Sequence, residues 1–312
     1  MDKLIKQIIE KDMNPTVAGL DPKLDYVPDF IKIPCMEKAG ENWAKGAADA
    51  LYEFNKVLID SLCDIVPAVK PQSAYYEMYG IEGIKCLYKT MQYAEEKGMY
   101  VLLDVKRGDI GATAEAYSAA YIGQTDYMGK KARSFTPDCI TVNPYLGTDG
   151  LKPFVKDCNE HDKDIFILVK TSNPSSGELQ DLVIDGTPIY EKTAAIVREL
   201  GADSIGEYGY NRVGAVTGAT YPEQISRLRE VMPNTFFLIP GYGAQGGKAE
   251  DCALAFDKNG LGGLVNSSRG IMCAYKKGDW KPEEFGLAAR AEAENMKEAL
   301  KKCILKYSTV IL

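Results

Sequence analysis

The chain has 312 residues and a single histidine, His161, in the polar run Asp157-Cys158-Asn159-Glu160-His161-Asp162. That run reads as a solvated loop. A Ser/His or Cys/His nucleophile system would have to use this one imidazole, and nothing beside it suggests a site. No Cys-x-x-Cys spacing occurs among the eight cysteines, Cys35, Cys63, Cys86, Cys139, Cys158, Cys252, Cys273 and Cys303. Several lie inside apolar segments, as small hydrophobes do. The expectation is a reduced, cytoplasmic thiol set with neither structural metal nor disulfides. No apolar run approaches the roughly 20 residues that a membrane span needs. Acidic and basic residues interrupt residues 1–11, so that stretch reads as an amphipathic helix rather than a signal peptide. Positive charge is outweighed, with a net charge of −7, which argues against a nucleic-acid surface.

What is present is a repeating alternation. Hydrophobic residues make up 46% of the chain and charged ones 26%, enough for one large domain with a substantial core. Short apolar runs at 16–20, 65–70, 100–106, 139–143, 165–169, 213–217, 236–239 and 263–265 have the character of buried strands. Pro67 is awkward inside a central strand, so the second should begin late or bend. Helical patterns occupy 50–63, 81–97, 112–122, 189–200, 221–231 and 282–304. Eight strands alternating with helices predict an α/β fold, a (β/α)₈ barrel in one domain spanning 1–312. The segment 22–49, broken by Pro22, Pro28 and Pro34, reads as an insertion after the first strand. An open doubly wound sheet is the competitor. It ordinarily carries a glycine-rich turn after its first strand, and Gly19-Leu20-Asp21-Pro22 offers no G-x-G-x-x-G.

The chain is organised around Leu103-Asp104-Val105-Lys106-Arg107-Gly108-Asp109-Ile110. Asp104 and Lys106 are two apart and share a strand face. Gly108 and Gly111 allow the backbone to turn beyond them. Polar residues also close other strands: Asp21, Lys70, Asn143, Lys170-Thr171-Ser172-Asn173, Gln245 and Ser267-Ser268-Arg269. In a barrel these ends converge on one mouth, where such folds keep their chemistry. Lys70, Asp104, Lys106 and Asp109 together would hold one another ionised. They could stabilise a developing anion with preset charges, and a lysine could deliver a proton. Two lysines in the cluster argue against a divalent metal there. The glycine-rich turn at 240–247 and Asn266-Ser267-Ser268-Arg269-Gly270-Ile271 read as an anion site for a phosphate, gripped by the arginine fork. The composition of 242–247 suggests a loop that closes over that phosphate.

These residues resemble the orotidine 5′-phosphate decarboxylase family, in its longer type 2 form. Asp104-Val105-Lys106-Arg107-Gly108-Asp109-Ile110 matches the family's D-x-K-x-x-D-I signature. Lys70, Lys170-Thr171-Ser172-Asn173-Pro174, the 240–247 turn and Ser267-Ser268-Arg269-Gly270 match in order. The resemblance implies a homodimer that converts orotidine 5′-monophosphate to UMP and CO₂ without a cofactor or metal, in pyrimidine synthesis. Lys106 would protonate C6, Asp104 would lie beside the substrate carboxylate, and Lys70 would bridge the carboxylates and the ribose. Asp109 and Thr113 would reach into the partner's site. Asp21 would bind ribose, Thr171 and Ser172 would approach the pyrimidine edge, and Gln245 with Arg269 would hold the phosphate. Gln72 stands where some relatives have Asn. Two other chemistries fit parts of this pattern. A metal-dependent β-keto acid sugar-phosphate decarboxylase would need a divalent ion to hold its enediolate. A non-catalytic nucleotide-binding barrel would keep Arg269 and Gln245 but have no use for Lys106.

Overall fold

Each apolar run becomes a strand whose neighbours in sequence are also its neighbours in space. The computed structural model describes residues 1–243 and 246–308. The strands are β1 (Thr16–Leu20), β2 (Ala68–Pro71), β3 (Tyr100–Arg107), β4 (Cys139–Val142), β5 (Asp164–Lys170), β6 (Val213–Thr217), β7 (Phe237–Ile239) and β8 (Gly263–Ser267). All pair in parallel with their successors, and β8 pairs with β1 to close the barrel. The second strand starts at Ala68, directly after Pro67, whose ring leaves no N–H for a ladder. Pro67 still contributes its carbonyl, which accepts from Tyr100 N at 2.9 Å.

Nine helices of eight residues or more are present among the described residues. They are α1 (Asp2–Glu10), α2 (Asp29–Ala39), α3 (Trp43–Leu62), α4 (Gly80–Glu96), α5 (Gly111–Tyr121), α6 (Thr148–His161), α7 (Ile189–Gly201), α8 (Pro222–Val231) and α9 (Phe285–Ile304). Two differ from the sequence expectation. The helix expected over 50–63 begins at Trp43, because the Asn42 side chain accepts from Lys45 N at 3.1 Å and caps it. Residues 43–49, expected within the insertion, are the first turns of this helix. His161 is not in a loop but ends α6. Gly150 and Pro153 obscure that helix in sequence. It forms because Gly150, Leu151, Phe154 and Cys158 bury one face of it. Two small antiparallel ribbons, Thr125–Tyr127 with Lys130–Ala132 and Val183–Ile184 with Thr187–Pro188, were not anticipated.

The alternation of strand residues sorts the core into two layers. Val101, Leu103 and Val105 of β3 face the helices, while Tyr100 and Leu102 face the barrel axis. The axial cluster also holds Val17, Ala68, Phe166, Phe236 and Leu264. Helix α1 plugs its lower end with Leu4, Ile5 and Ile8. There the Met1 ammonium pairs with buried Asp164, whose other oxygen accepts from Tyr100 Oη at 2.7 Å. Filled below, the barrel is open only at the strand C-termini. No helix among the described residues is long and apolar enough to cross a membrane.

Candidate active site

Continuing the inward alternation upward gives the site. The inward positions nearest the strand C-termini are Lys70, Asp104, Thr141, Leu168, Val216, Leu238 and Asn266, one from each of β2 to β8. All line a cavity of about 590 Å³ at the mouth. That volume suits a small metabolite.

Asp104 is the hub. Its Oδ2 accepts from Lys70 Nζ at 3.0 Å, and its Oδ1 accepts from Lys106 Nζ at 2.7 Å and from Thr141 Oγ1 at 2.8 Å. Lys70 Nζ also lies 3.8 Å from Asp21 Oδ1. Lys70 and Asp104 are buried, whereas the Lys106 side chain is 46% exposed and reaches the open cavity. Burial alone would raise the Asp104 pKa, but the two ammonium groups and the Thr141 hydroxyl outweigh it and hold it well below the ordinary carboxylate range. Burial likewise pulls Lys70 down, yet Asp104 and Asp21 carry it above its usual value. Lys70 and Asp104 therefore hold each other in their charged forms.

Lys106 reaches Asp104 through a break in the strand rather than through regular pleating. The β3–β4 register shifts between Leu103 and Arg107, and Lys106 has φ +45°, a left-handed conformation costly for a residue with a Cβ. Thr141 Oγ1 holds this bulge, accepting from Val105 N at 3.1 Å and Lys106 N at 2.9 Å. Sequence reading missed Thr141 and chose Asn143 as the polar end of the fourth strand. Asn143 instead turns the following loop, accepting from Tyr145 N at 3.0 Å. Thr141 was detectable as an inward-parity polar residue two positions after Cys139.

Just past the end of β8, Arg269 lines the same cavity; its exposed side chain makes no ion pair or hydrogen bond among the described residues. Ser268 nestles against Gly19, where any Cβ would lie 1.9 Å from the serine oxygen. Gly243 and Gly247 close the neighbouring turn with a hydrogen bond of 2.9 Å. Gln245 lies outside the described residues. Asp21, Gln72, Thr171 and Ser172 all line the cavity. So do Lys23, Tyr26 and Tyr75, which sequence reading did not select. Lys23 Nζ sits 5.9 and 5.8 Å from the two ring centroids.

Asp109 and Thr113 do not line their own chain's cavity, so the four-membered cluster expected from sequence is three-membered within one chain. Both lie on the surface beyond the mouth, with Thr113 exposed. The cysteines are all free. Burial pushes the Cys86 and Cys252 thiols up to about 12, which leaves them without a nucleophilic thiolate. His161 stands with Asp157 and Glu160 on α6, their ligand atoms within 4.8 Å of one another. That group is at the opposite end of the barrel from the mouth.

The fold and site together define a class, a (β/α)₈ enzyme in which an alternating ammonium–carboxylate array and an exposed arginine line one cavity. The chain belongs to the orotidine 5′-phosphate decarboxylase / HUMPS family, whose model matches residues 47–279. It is 42% identical over 303 residues to an orotidine 5′-phosphate decarboxylase of Caldicellulosiruptor bescii, covering 97% of this chain and 98% of the relative. It is also 42% identical to a Rhodopirellula baltica protein of the same name, covering 93% and 92%. Among solved structures, an orotidine-monophosphate decarboxylase from Toxoplasma gondii aligns with a TM-score of 0.77 at 29% identity, covering 98% of both chains. Leishmania donovani UMP synthase aligns with a TM-score of 0.72 at 30% identity, covering 97% of this chain and 56% of that one.

Proposed function

We propose that this chain decarboxylates orotidine 5′-monophosphate to UMP and CO₂, a step of pyrimidine biosynthesis, as the longer type 2 form of the enzyme in the cytoplasm. The observation that carries the reading is the Lys70–Asp104–Lys106 array, whose half-exposed Lys106 ammonium lines the cavity while paired to Asp104. When the C6–CO₂ bond breaks, its electron pair stays on C6. Lys106 then gives its proton to C6 and is recharged from solvent. The fixed charges need no rearrangement as that carbanion forms, which is where such sites gain most of their rate. Lys70 and Thr141 hold Asp104 in place beside the substrate carboxylate. Asp21 lines the cavity with a partly exposed side chain, and its carboxylate can accept from a ribose hydroxyl. Arg269, with Gln245, takes the 5′-phosphate, and Gln72 and Ser172 face the rest of the nucleotide. Binding energy from that unreactive phosphate can be spent on orienting the base.

The functional unit in this reading is a homodimer. Asp109 and Thr113 sit beside an exposed apolar patch of Ile110, Tyr145 and Leu146. Gly150 at the start of α6 approaches the Asp109 carbonyl and Leu146, which brings the two loops together. A second copy seated there would bring Asp109 and Thr113 to its mouth. The decisive experiment is the loss of orotidine 5′-monophosphate absorbance with purified protein in EDTA. Turnover undiminished by the chelator is expected. Turnover that EDTA abolishes and a divalent ion restores would move the chain to metal-assisted sugar-phosphate chemistry.

A further inference from the structure

The segment 173–188 leaves the end of β5 and returns at α7. Its α-helical turn, Gly177–Gln180, is tied back to the strand end by the consecutive side chains of Gln180 and Asp181. Gln180 Oε1 accepts from Thr171 N at 2.9 Å, while Gln180 Nε2 donates to Thr171 Oγ1 at 2.8 Å. Asp181 Oδ1 accepts from Lys170 Nζ at 2.7 Å and from Gln224 Nε2 at 3.3 Å. Lys170 is 1% exposed, with its ammonium 4.7 Å from the Tyr221 ring centroid. The Thr171 hydroxyl itself donates to Asn173 Oδ1 at 2.6 Å. Thr171 therefore has neither its N–H nor its hydroxyl proton left for a ligand. Ser172 differs: its hydroxyl has no partner among the described residues, and it lines the cavity. Its backbone is backed by Gly218, where a Cβ would lie 2.8 Å from Ser172 N. Gly218 N in turn donates to the Lys170 carbonyl at 2.8 Å.

We propose that Gln180 is a positioning residue for recognition of the pyrimidine base: it occupies the hydrogen-bonding groups of Thr171 so that the turn presents Ser172 alone to the ring. The inference rests on the reading above that this turn meets the base. A chain leaving a strand end has backbone groups without ladder partners. A carboxamide can accept from the N–H and donate to the hydroxyl oxygen at once, which a carboxylate cannot. The adjacent Asp181–Lys170 pair fixes where the carboxamide stands. Asparagine would be one methylene too short from the same backbone position.

The test compares two ligands that share ribose and phosphate but differ in the base. Binding of UMP and of ribose 5-phosphate is titrated for the wild type, Gln180→Ala, Gln180→Glu and Ser172→Ala, with kcat, KM and thermal unfolding measured alongside. Gln180→Ala is expected to weaken UMP about tenfold or more, the scale of two neutral hydrogen bonds. Ribose 5-phosphate should stay within about twofold under the same reasoning, and KM should rise more than kcat falls. Gln180→Glu keeps the acceptor and should recover part of the loss. Equal weakening of both ligands, or unchanged UMP affinity, would overturn the role given to Gln180. If Ser172→Ala also leaves UMP affinity intact, the base-recognition reading of the turn itself fails. If Ser172→Ala weakens UMP while Gln180→Ala does not, only the Gln180 inference falls.

Discussion

Asp104 shows how one residue can be both the costliest and the most useful in a site. A buried carboxylate is unfavourable unless paired, and here two lysines and a threonine surround it. Removing either end of that arrangement has a separable effect. Lys106→Ala is expected to abolish nearly all turnover while still binding UMP, since the lysine is half-exposed and its loss leaves Asp104 paired to Lys70; ordinary turnover in that variant would refute the proton donor. Asp104→Asn strands buried Lys70 and should cost about 3 kcal/mol at neutral pH, read from urea unfolding. The pH dependence follows from the signs of the shifts. The Asp104 carboxyl is lowered in the folded state, so its stabilisation is complete above the unfolded value near ~4 and fades as pH falls toward the folded one. The gap between wild type and Asp104→Asn should thus narrow below about pH 4. Lys70 is raised, so its contribution is full below the unfolded lysine value near ~10.4 and is lost as pH rises through the folded one.

At the scale of elements, the molecule uses buried charge to set loop geometry as well as to do chemistry. Arg229, in the last turn of α8, donates to the carbonyls of Ala255, Thr235 and Gly262, each at 2.8 Å, and of Met232 at 2.9 Å. Its guanidinium lies 3.8 Å from the centre of the Phe237 ring. Burial pulls its pKa down to about 10, which leaves it charged at neutral pH. Without it the Ala255 and Thr235 carbonyls lose their donor, while those of Met232 and Gly262 keep only the bonds from Thr235 N and Phe237 N. Arg229→Leu should therefore cost about 3 kcal/mol or more in urea unfolding. Arg229→Lys should restore less than half, because an ammonium cannot reproduce the planar fork. A loss below about 1 kcal/mol would show that water replaces the guanidinium. The β3 bulge works by the same economy: Thr141 uses one hydroxyl to hold two backbone amides and one carboxylate.

At the scale of the whole molecule, one chain supplies the floor and walls of the site but not Asp109 or Thr113. The proposed dimer has a direct consequence. Lys106→Ala and Asp109→Ala chains are each expected to be nearly inactive alone. After subunit exchange, random pairing makes half the dimers mixed, and each mixed dimer has one site with both groups. About a quarter of wild-type activity should return. No recovery after demonstrated exchange would show that Asp109 acts, if at all, within its own chain.

The barrel was legible in the linear chain because burial on both faces writes continuous apolar runs, and because helix and strand periods differ. Pro67 even marked where β2 starts. Asp104 and Lys106 were legible as a pair because they are near neighbours on one strand, although the bulge that brings the lysine to the carboxylate is held by Thr141 of β4. What the sequence could not settle depends on closure. Thr141 joins the site only because β4 lies against a bulge in β3. Gln180 and Asp181 matter only because a nine-residue excursion folds back on its own strand end. Asp109 leaves its own cavity because the chain turns outward after Gly108. Local periodicity determines which face a side chain takes; only the closed barrel decides which other faces it meets.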